Sequence, residues 1–242
     1  MNENDAMLYR NGDDSRHVIL QSRNVCKEFR IGENRLQVLK GISLDVFKGE
    51  TLSLMGVSGA GKSTLLNILG GLDRPTEGSV VFEGIDVYRM SQFQRNEYRA
   101  SRIGFIFQAY FLLPELDVLE NVLLPAMRQL RWISRASYYR ERAFELLNRV
   151  GLGERAGHRP SELSGGEQQR AAIARSLMNK PDIVLADEPT GNLDSKTGEQ
   201  VLQYLFDLTV GEGRTLVLVT HNEAIASMCG RNLHIVDGRI DG

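Results

Sequence analysis

Cysteine is nearly absent from this sequence: Cys26 and Cys229 are the only two in 242 residues. Neither stands at a metal-type spacing, and the pair reads as free buried thiols rather than a disulfide. Net charge is scarce as well, because 29 Lys and Arg face 31 Asp and Glu. Binding to nucleic acid by bulk charge is therefore excluded, and no nucleic-acid partner is expected. Long apolar runs are missing too. The longest stretch without a charged residue, Ile103 to Pro114, is twelve residues, against the roughly 20 that a spanning helix needs. The start, MNENDAMLYRNGDD, lacks the basic end and apolar core of a secretory signal, so the chain is expected in the cytosol. What remains is ordinary globular composition, 42% hydrophobic and 25% charged. The length suits one large domain, or one domain with an inserted subdomain.

Residues 1–16 carry few large apolar side chains and read as a disordered tail; the folded domain is expected over 17–242. From Val18 to Lys48 the runs VILQSRNV and GISLDVF, set between Gly and Asn, predict antiparallel strands. A βαβ-type pattern follows, with strand LSLMG, helix GKSTLLNILGG, and strands SVVFEG and IGFIF. VLENVLLPAM and RERAFELLNRV then show helical spacing without a convincing strand, which predicts an inserted α-helical subdomain over about 109–162. Alternation resumes with helix GGEQQRAAIARSLM, strand DIVLAD, helix DSKTGEQVLQYLFDL, strand TLVLVT and helix NEAIASM, before the short strands NLHIV and GRI. Such alternation predicts an α/β fold whose mostly parallel core sheet is covered by helices on both faces.

Gly56-Val57-Ser58-Gly59-Ala60-Gly61-Lys62-Ser63 matches G-x-x-x-x-G-K-[ST] and lies between an apolar strand and a leucine-rich helix. Its glycines let the loop turn N–H groups inward around phosphates at the positive end of the helix. Lys62 would reach the β- and γ-phosphates and Ser63 would ligate Mg²⁺. Gly56, Ser58, Gly59, Ala60, Gly61, Lys62, Ser63 and Thr64 are thus candidate nucleotide contacts. Strand IVLA ends in Asp187-Glu188, at the sheet edge where open α/β folds bind ligands. Asp187 suits a water-mediated Mg²⁺ contact, and Glu188 the general base for an attacking water.

Leu163-Ser164-Gly165-Gly166-Glu167 opens a second helix, and Ser164 with Glu167 fits the capping-box spacing. One phosphate loop has no use for a second anion-ready helix start. LSGGEQQR, the phosphate loop, the Asp187-Glu188 edge, Gln108, Gly191-Asn192-Leu193-Asp194 and His221, taken in order, resemble the nucleotide-binding subunit of ABC transporters. The resemblance runs from His17 to Asp241. It implies a P-loop ATPase that uses ATP and Mg²⁺, and a head-to-tail homodimer. Ser164, Gly165 and Gly166 of one copy would close over the γ-phosphate held by the other. The resemblance also implies that Gln108 touches Mg²⁺ and the attacking water, and that His221 bonds the γ-phosphate or Glu188. Thr220 with Glu223 reads as another capping box, setting His221 in the first turn of a helix. Phe29 stands where the family stacks an aromatic on adenine, although a plain core ring fits the same position. Glu167 replaces a frequent glutamine and leaves the cap intact.

A single ATPase domain of this kind implies a membrane partner. Ala109-Tyr110-Phe111-Leu112-Leu113-Pro114 lies where the family receives a permease helix, although Leu112 and Leu113 fit a core equally well. Arg128 to Arg142, with Trp132, Tyr138 and Tyr139, reads as a solvated helix face or a contact with membrane or partner. LLNILGGLDRPTEGSV, FLLPELDVLENVLLPA and LADEPTGNLDSKTGE resemble the branch that energises lipoprotein release, macrolide or peptide export, or cell-division signalling. The likeness is greatest to the lipoprotein-releasing members. It implies permease subunits with large periplasmic domains, and a peripheral place on the cytoplasmic face of the bacterial inner membrane.

Overall fold

The computed structural model describes residues 17–32, 34–129 and 132–241. The expected tail, residues 1–16, lies outside the described residues. In chain order the strands are β1 (Val18–Ile31), β2 (Asn34–Phe47), β3 (Thr51–Met55), β4 (Glu77–Phe82), β5 (Ile85–Asp86), β6 (Ile103–Ile106), β7 (Ile183–Asp187), β8 (Thr215–Val219), β9 (Arg231–Val236) and β10 (Arg239–Asp241). The helices are α1 (Lys62–Leu69), α2 (Gln92–Ser101), α3 (Val118–Leu123), α4 (Ala136–Arg149), α5 (Gly165–Ser176), α6 (Ser195–Thr209) and α7 (Glu223–Ala226).

The strands form two sheets, ordered β2-β1-β4-β5 and β10-β9-β3-β8-β7-β6. In the larger sheet, strands β9 through β6 run parallel and only β10 turns back against β9. The sequence placed SVVFEG in the parallel βαβ series. It forms β4, which instead joins the antiparallel sheet, with Leu20 opposite Phe82 and Ser22 opposite Val80. The reason is visible in its burial: Val80 and Phe82 are covered while Val81 between them is only half-buried. That is a strand with one covered face, whereas β8 is buried at all five positions, as a strand between two packed layers must be.

Side chains of β7 and β8 alternate between two cores. Val184, Ala186, Leu216 and Leu218 pack with the apolar faces of α3 to α6. Ile183, Leu185, Val217 and Val219 pack with Leu65, Leu66, Ile68 and Leu69 of α1 and with Ile19, Leu20 and Leu39 of the antiparallel sheet. Helices on both faces were expected. α3 to α6 lie on one face, and α1 with Tyr98 of α2 lies on the other, which the antiparallel sheet also covers. Each fully buried Leu or Ile in these layers contributes about 1.5–3 kcal/mol relative to exposure.

Between β6 and α5 the described residues hold α3, α4 and short 3₁₀ turns, and no strand. Buried Asn121 ties the preceding loop to α3: its Nδ2 donates to Leu113 O and Asp117 O, and its Oδ1 accepts from Leu113 N at 2.7 Å. α2 was not foreseen, although Ser91 and Gln94 close a full capping box at its start and that spacing is written in the sequence. Cys229 is buried, but Cys26 is only half-buried, and both are free. Among the described residues no helix is long and apolar enough to cross a membrane.

Candidate active site

Four loops at the carboxyl ends of β3, β6, β7 and β8 face one open cleft of about 770 Å³. They carry the Gly56–Ser63 loop, Gln108, the Asp187-Glu188 pair and His221. The strands are neighbours in the sheet, so parallel pairing gathers at one edge residues that lie up to 165 positions apart, from Gly56 to His221.

The phosphate loop fits only as glycine at two points. A Cβ on Gly56 would stand 2.2 Å from the Ile235 carbonyl oxygen of β9, and one on Gly61, at φ 102°, would stand 2.7 Å from Leu39 Cδ2. α1 then begins with no side-chain cap. Its first N–H groups are left for an anion, whereas α2, α3 and α5 each close their own starts with a capping box. Lys62 is buried, and its Nζ donates to Gly56 O at 2.7 Å and Val57 O at 3.0 Å. Ser58, Gly59, Gly61, Ser63 and Thr64 line the cleft, and Ala60 is buried beneath it.

Ser63 Oγ donates to Asp187 Oδ1 at 3.0 Å. Burial raises the Asp187 pKa above the usual carboxylate value; the Ser63 bond opposes that, the Glu188 charge adds to it, and Lys62 opposes it. A serine hydroxyl, a carboxylate disfavoured by burial and a glutamine amide are the hard oxygen donors that Mg²⁺ takes, with phosphate and water completing its shell. Among the described residues no three His, Cys, Asp or Glu side chains gather as metal ligands. The residues therefore fit Mg²⁺ held jointly with a nucleotide and not a metal caged by protein alone.

Glu188 sits at φ 45°, a left-handed conformation that costs a non-glycine residue about 1–3 kcal/mol. Its backbone N–H donates to Val219 O at 3.0 Å, and its Oε1 lies 2.7 Å from His221 Nδ1. The expected Thr220–Glu223 box does not form. Asn222 is the cap of α7, accepting from Ala224 N and Ile225 N, and Thr220 Oγ1 accepts from Asn222 N. An asparagine amide next to the first helical residue outcompetes a threonine two positions further out. His221 therefore lies ahead of the helix, and the partner of its ring is Glu188.

Gln108 reaches the cleft and pairs with Asn192. Phe29 does not line it. Phe29 is 39% exposed, which removes the core alternative, and it stands opposite Leu36 in the β1–β2 ladder on the same sheet face. Leu36 and Val38 of β2 line the cleft and were not foreseen, because nothing in their local pattern marks them. Ser164, Gly165 and Gly166 are at the start of α5 and none lines the cleft. Ser164 Oγ accepts from Glu167 N, completing the expected capping box, and the Ser164 hydroxyl and N–H, which donate to Glu167 Oε2 at 2.7 and 2.8 Å, hold the Glu167 pKa below the usual carboxylate value.

Residues 39–191 match the family described as ABC transporter. This chain belongs to that family. It is 50% identical over 223 residues to the lipoprotein-releasing system ATP-binding protein LolD of Myxococcus xanthus, covering 92% of this chain and 98% of that protein. It is 48% identical over 223 residues to the macrolide export ATP-binding/permease protein MacB of Syntrophobacter fumaroxidans, covering 31% of that longer protein. A solved ATP-binding cassette, dimeric in a post-hydrolysis state with ADP and Pi, superposes with a TM-score of 0.86 at 43% identity, covering 93% of this chain and 97% of that one. The two-sheet architecture is accordingly that of an ABC cassette. The chain is the ATP-binding, ATP-hydrolysing subunit of an ABC transporter.

Proposed function

We propose that this cassette hydrolyses ATP with Mg²⁺ in a head-to-tail pair and thereby drives release of lipoproteins from the bacterial inner membrane. It works from the cytoplasmic face, bound peripherally to permease subunits with large periplasmic domains. The observation that carries the catalytic part is the 2.7 Å contact of Glu188 Oε1 with His221 Nδ1, above the phosphate loop. Glu188 takes a proton from water as the water oxygen bonds to the γ-phosphorus. The bond from that phosphorus to the bridging oxygen breaks, and its electron pair leaves with ADP. His221 donates Nδ1–H to the carboxylate and holds it in line. When bound, Mg²⁺ would supply positive charge to the phosphates; Ser63, Asp187 and Gln108 would hold it, and Lys62 balances the remaining charge. Phe29 offers its exposed face to adenine at the cleft edge. Ser164, Gly165 and Gly166 close the site from a second copy, which gives the exposed start of α5 its use. Residues 17–242 act as one domain in this reading, with 109–162 as its inserted helical part.

The cargo assignment rests on relatives named for lipoprotein release at 47–50% identity, three of them over 92% of this chain. Partner docking is supported by Phe111 and Leu113, which are 64% and 46% exposed; Phe111 lines a groove of about 430 Å³ with Phe105, Phe107 and Pro125. Leu112 is different: it packs into the helical core and takes the core alternative. The test reconstitutes the cassette with its permease in liposomes carrying a lipoprotein, adds ATP and a soluble acceptor, and measures release. Phe111→Asp with Leu113→Asp should abolish release while the isolated subunit keeps its ATPase rate. The macrolide-export relative favours one other reading. A transported macrolide with lipoprotein left in the membrane would replace the cargo assignment with that reading.

A further inference from the structure

We infer that Asn192 is a positioning residue for hydrolysis: with Gly191 it fixes the Gln108 amide so that its oxygen, not its nitrogen, faces the phosphates. The inference rests on the reading of Gln108 as the residue that serves metal and water. Gln108 follows β6 and Asn192 lies in the turn between β7 and α6, 84 residues on. Two reciprocal hydrogen bonds join them. Asn192 Nδ2 donates to the Gln108 backbone oxygen at 3.0 Å, and Gln108 Nε2 donates to Asn192 Oδ1 at 3.0 Å.

Donor and acceptor chemistry allows this pair only one orientation. A backbone carbonyl can only accept, so the Asn192 atom beside it must be the NH₂ group. Asn192 then presents its oxygen to Gln108, and only the Gln108 NH₂ can answer it. Oε1 is the atom left over, and Gln108 lines the cleft. A solvent-exposed glutamine without such a clasp would sample many rotamers and present nitrogen as often as oxygen. Gly191 completes the seat. A Cβ there would stand 2.8 Å from Gln108 Nε2 and 3.1 Å from Cδ, so the amide lies flat against bare backbone. The same turn is tied to the base, since Gly191 N–H donates to Glu188 O at 3.0 Å. One short segment thus ties the backbone of Glu188 to the seat of the Gln108 amide.

The experiment compares wild type, Gln108→Ala, Asn192→Ala, Gly191→Ala and the Gln108→Ala/Asn192→Ala double variant. It measures kcat for ATP hydrolysis, metal-free ATP affinity, and Mn²⁺ affinity with a non-hydrolysable ATP analogue by electron paramagnetic resonance. Asn192→Ala should lower kcat about tenfold, less than the ~100-fold that a 1 Å misplacement can cause. It should weaken Mn²⁺ several-fold and leave metal-free ATP affinity unchanged. Gly191→Ala, whose backbone is not left-handed and admits alanine, should do the same by pushing the amide aside. The double variant should be no worse than Gln108→Ala, because Asn192 acts through that amide. Loss in Gln108→Ala with wild-type behaviour in Asn192→Ala, or additive losses in the double variant, overturns the clasp alone. A Gln108→Ala protein with unchanged kcat and Mn²⁺ affinity removes the reading of Gln108, and the inference falls with it.

Discussion

Removing the His221 ring should slow ATP turnover about tenfold while leaving ATP binding nearly intact. The bond from Nδ1–H to Glu188 Oε1 is 2.7 Å long and charge-assisted. Hydrogen bonds to charged groups contribute about 1.5–3 kcal/mol net. The Glu188 side chain is 18% exposed but that of His221 is 71% exposed, so water can take the place of the ring from the solvent side. The low end of the range applies, and about 1.4 kcal/mol is a factor of ten in rate. Glu188 keeps its backbone bond to Val219 O, so its carboxylate is loosened and not lost. His221→Ala should therefore lower kcat and kcat/KM together at nearly constant KM, the pattern of an interaction made in the transition state. Steady-state phosphate release and titration with a fluorescent nucleotide measure the two quantities. The variant should melt within about 0.5 kcal/mol of wild type, since the ring is a surface group. An unchanged kcat would refute the reasoning, and a raised KM at wild-type kcat would move the ring from the base to substrate binding.

Glu188→Gln should bind ATP yet lose about 10²–10⁴-fold in turnover. Light scattering should then show it pairing on addition of ATP, with Ser164→Arg preventing the pairing; a monomer at high ATP and protein would refute the shared site. Gly70→Ala should cost about 1–3 kcal/mol, because the new Cβ would meet Phe105 Cζ at 2.1 Å and Leu185 Cδ1 at 2.9 Å. A urea midpoint equal to wild type would show that these side chains yield without cost. Burial pushes the Cys229 thiol up to about 11, while Cys26 is half-buried, so a disulfide reagent at pH 8 should titrate one thiol quickly and the second only on unfolding. Two fast thiols would contradict the packing around Cys229.

The phosphate loop, the Asp187-Glu188 edge and the Ser164–Glu167 box were legible because each is written in consecutive or nearly consecutive residues. Local backbone geometry, not a distant partner, gives each its form: glycines at Gly56 and Gly61, a strand end, a side chain reaching three residues on. The same locality misled at Thr220. Its spacing to Glu223 satisfies the box, but Asn222 lies closer to the freed N–H groups and takes them. α2 shows the reverse case: its box at Ser91 and Gln94 is written in the sequence, but the helix has few apolar side chains to set a helical period.

By itself, the sequence determined which side chains are available: a glycine-rich loop ahead of a helix, an Asp187-Glu188 pair after an apolar strand, and the Ser164–Glu167 capping spacing. The tertiary structure decided which of these meet. β4 pairs with β1 and not with the central sheet, and α1 shares its face with a second sheet. The Glu188–His221 and Gln108–Asn192 contacts join residues 33 and 84 positions apart. Ser164, Gly165 and Gly166 stay outside the cleft of their own chain. Capping and turn preferences act over three or four residues and leave a mark in the sequence. Strand order, by contrast, is set by which faces can be buried together, and a single strand carries the pattern of its own faces but not the identity of its neighbour.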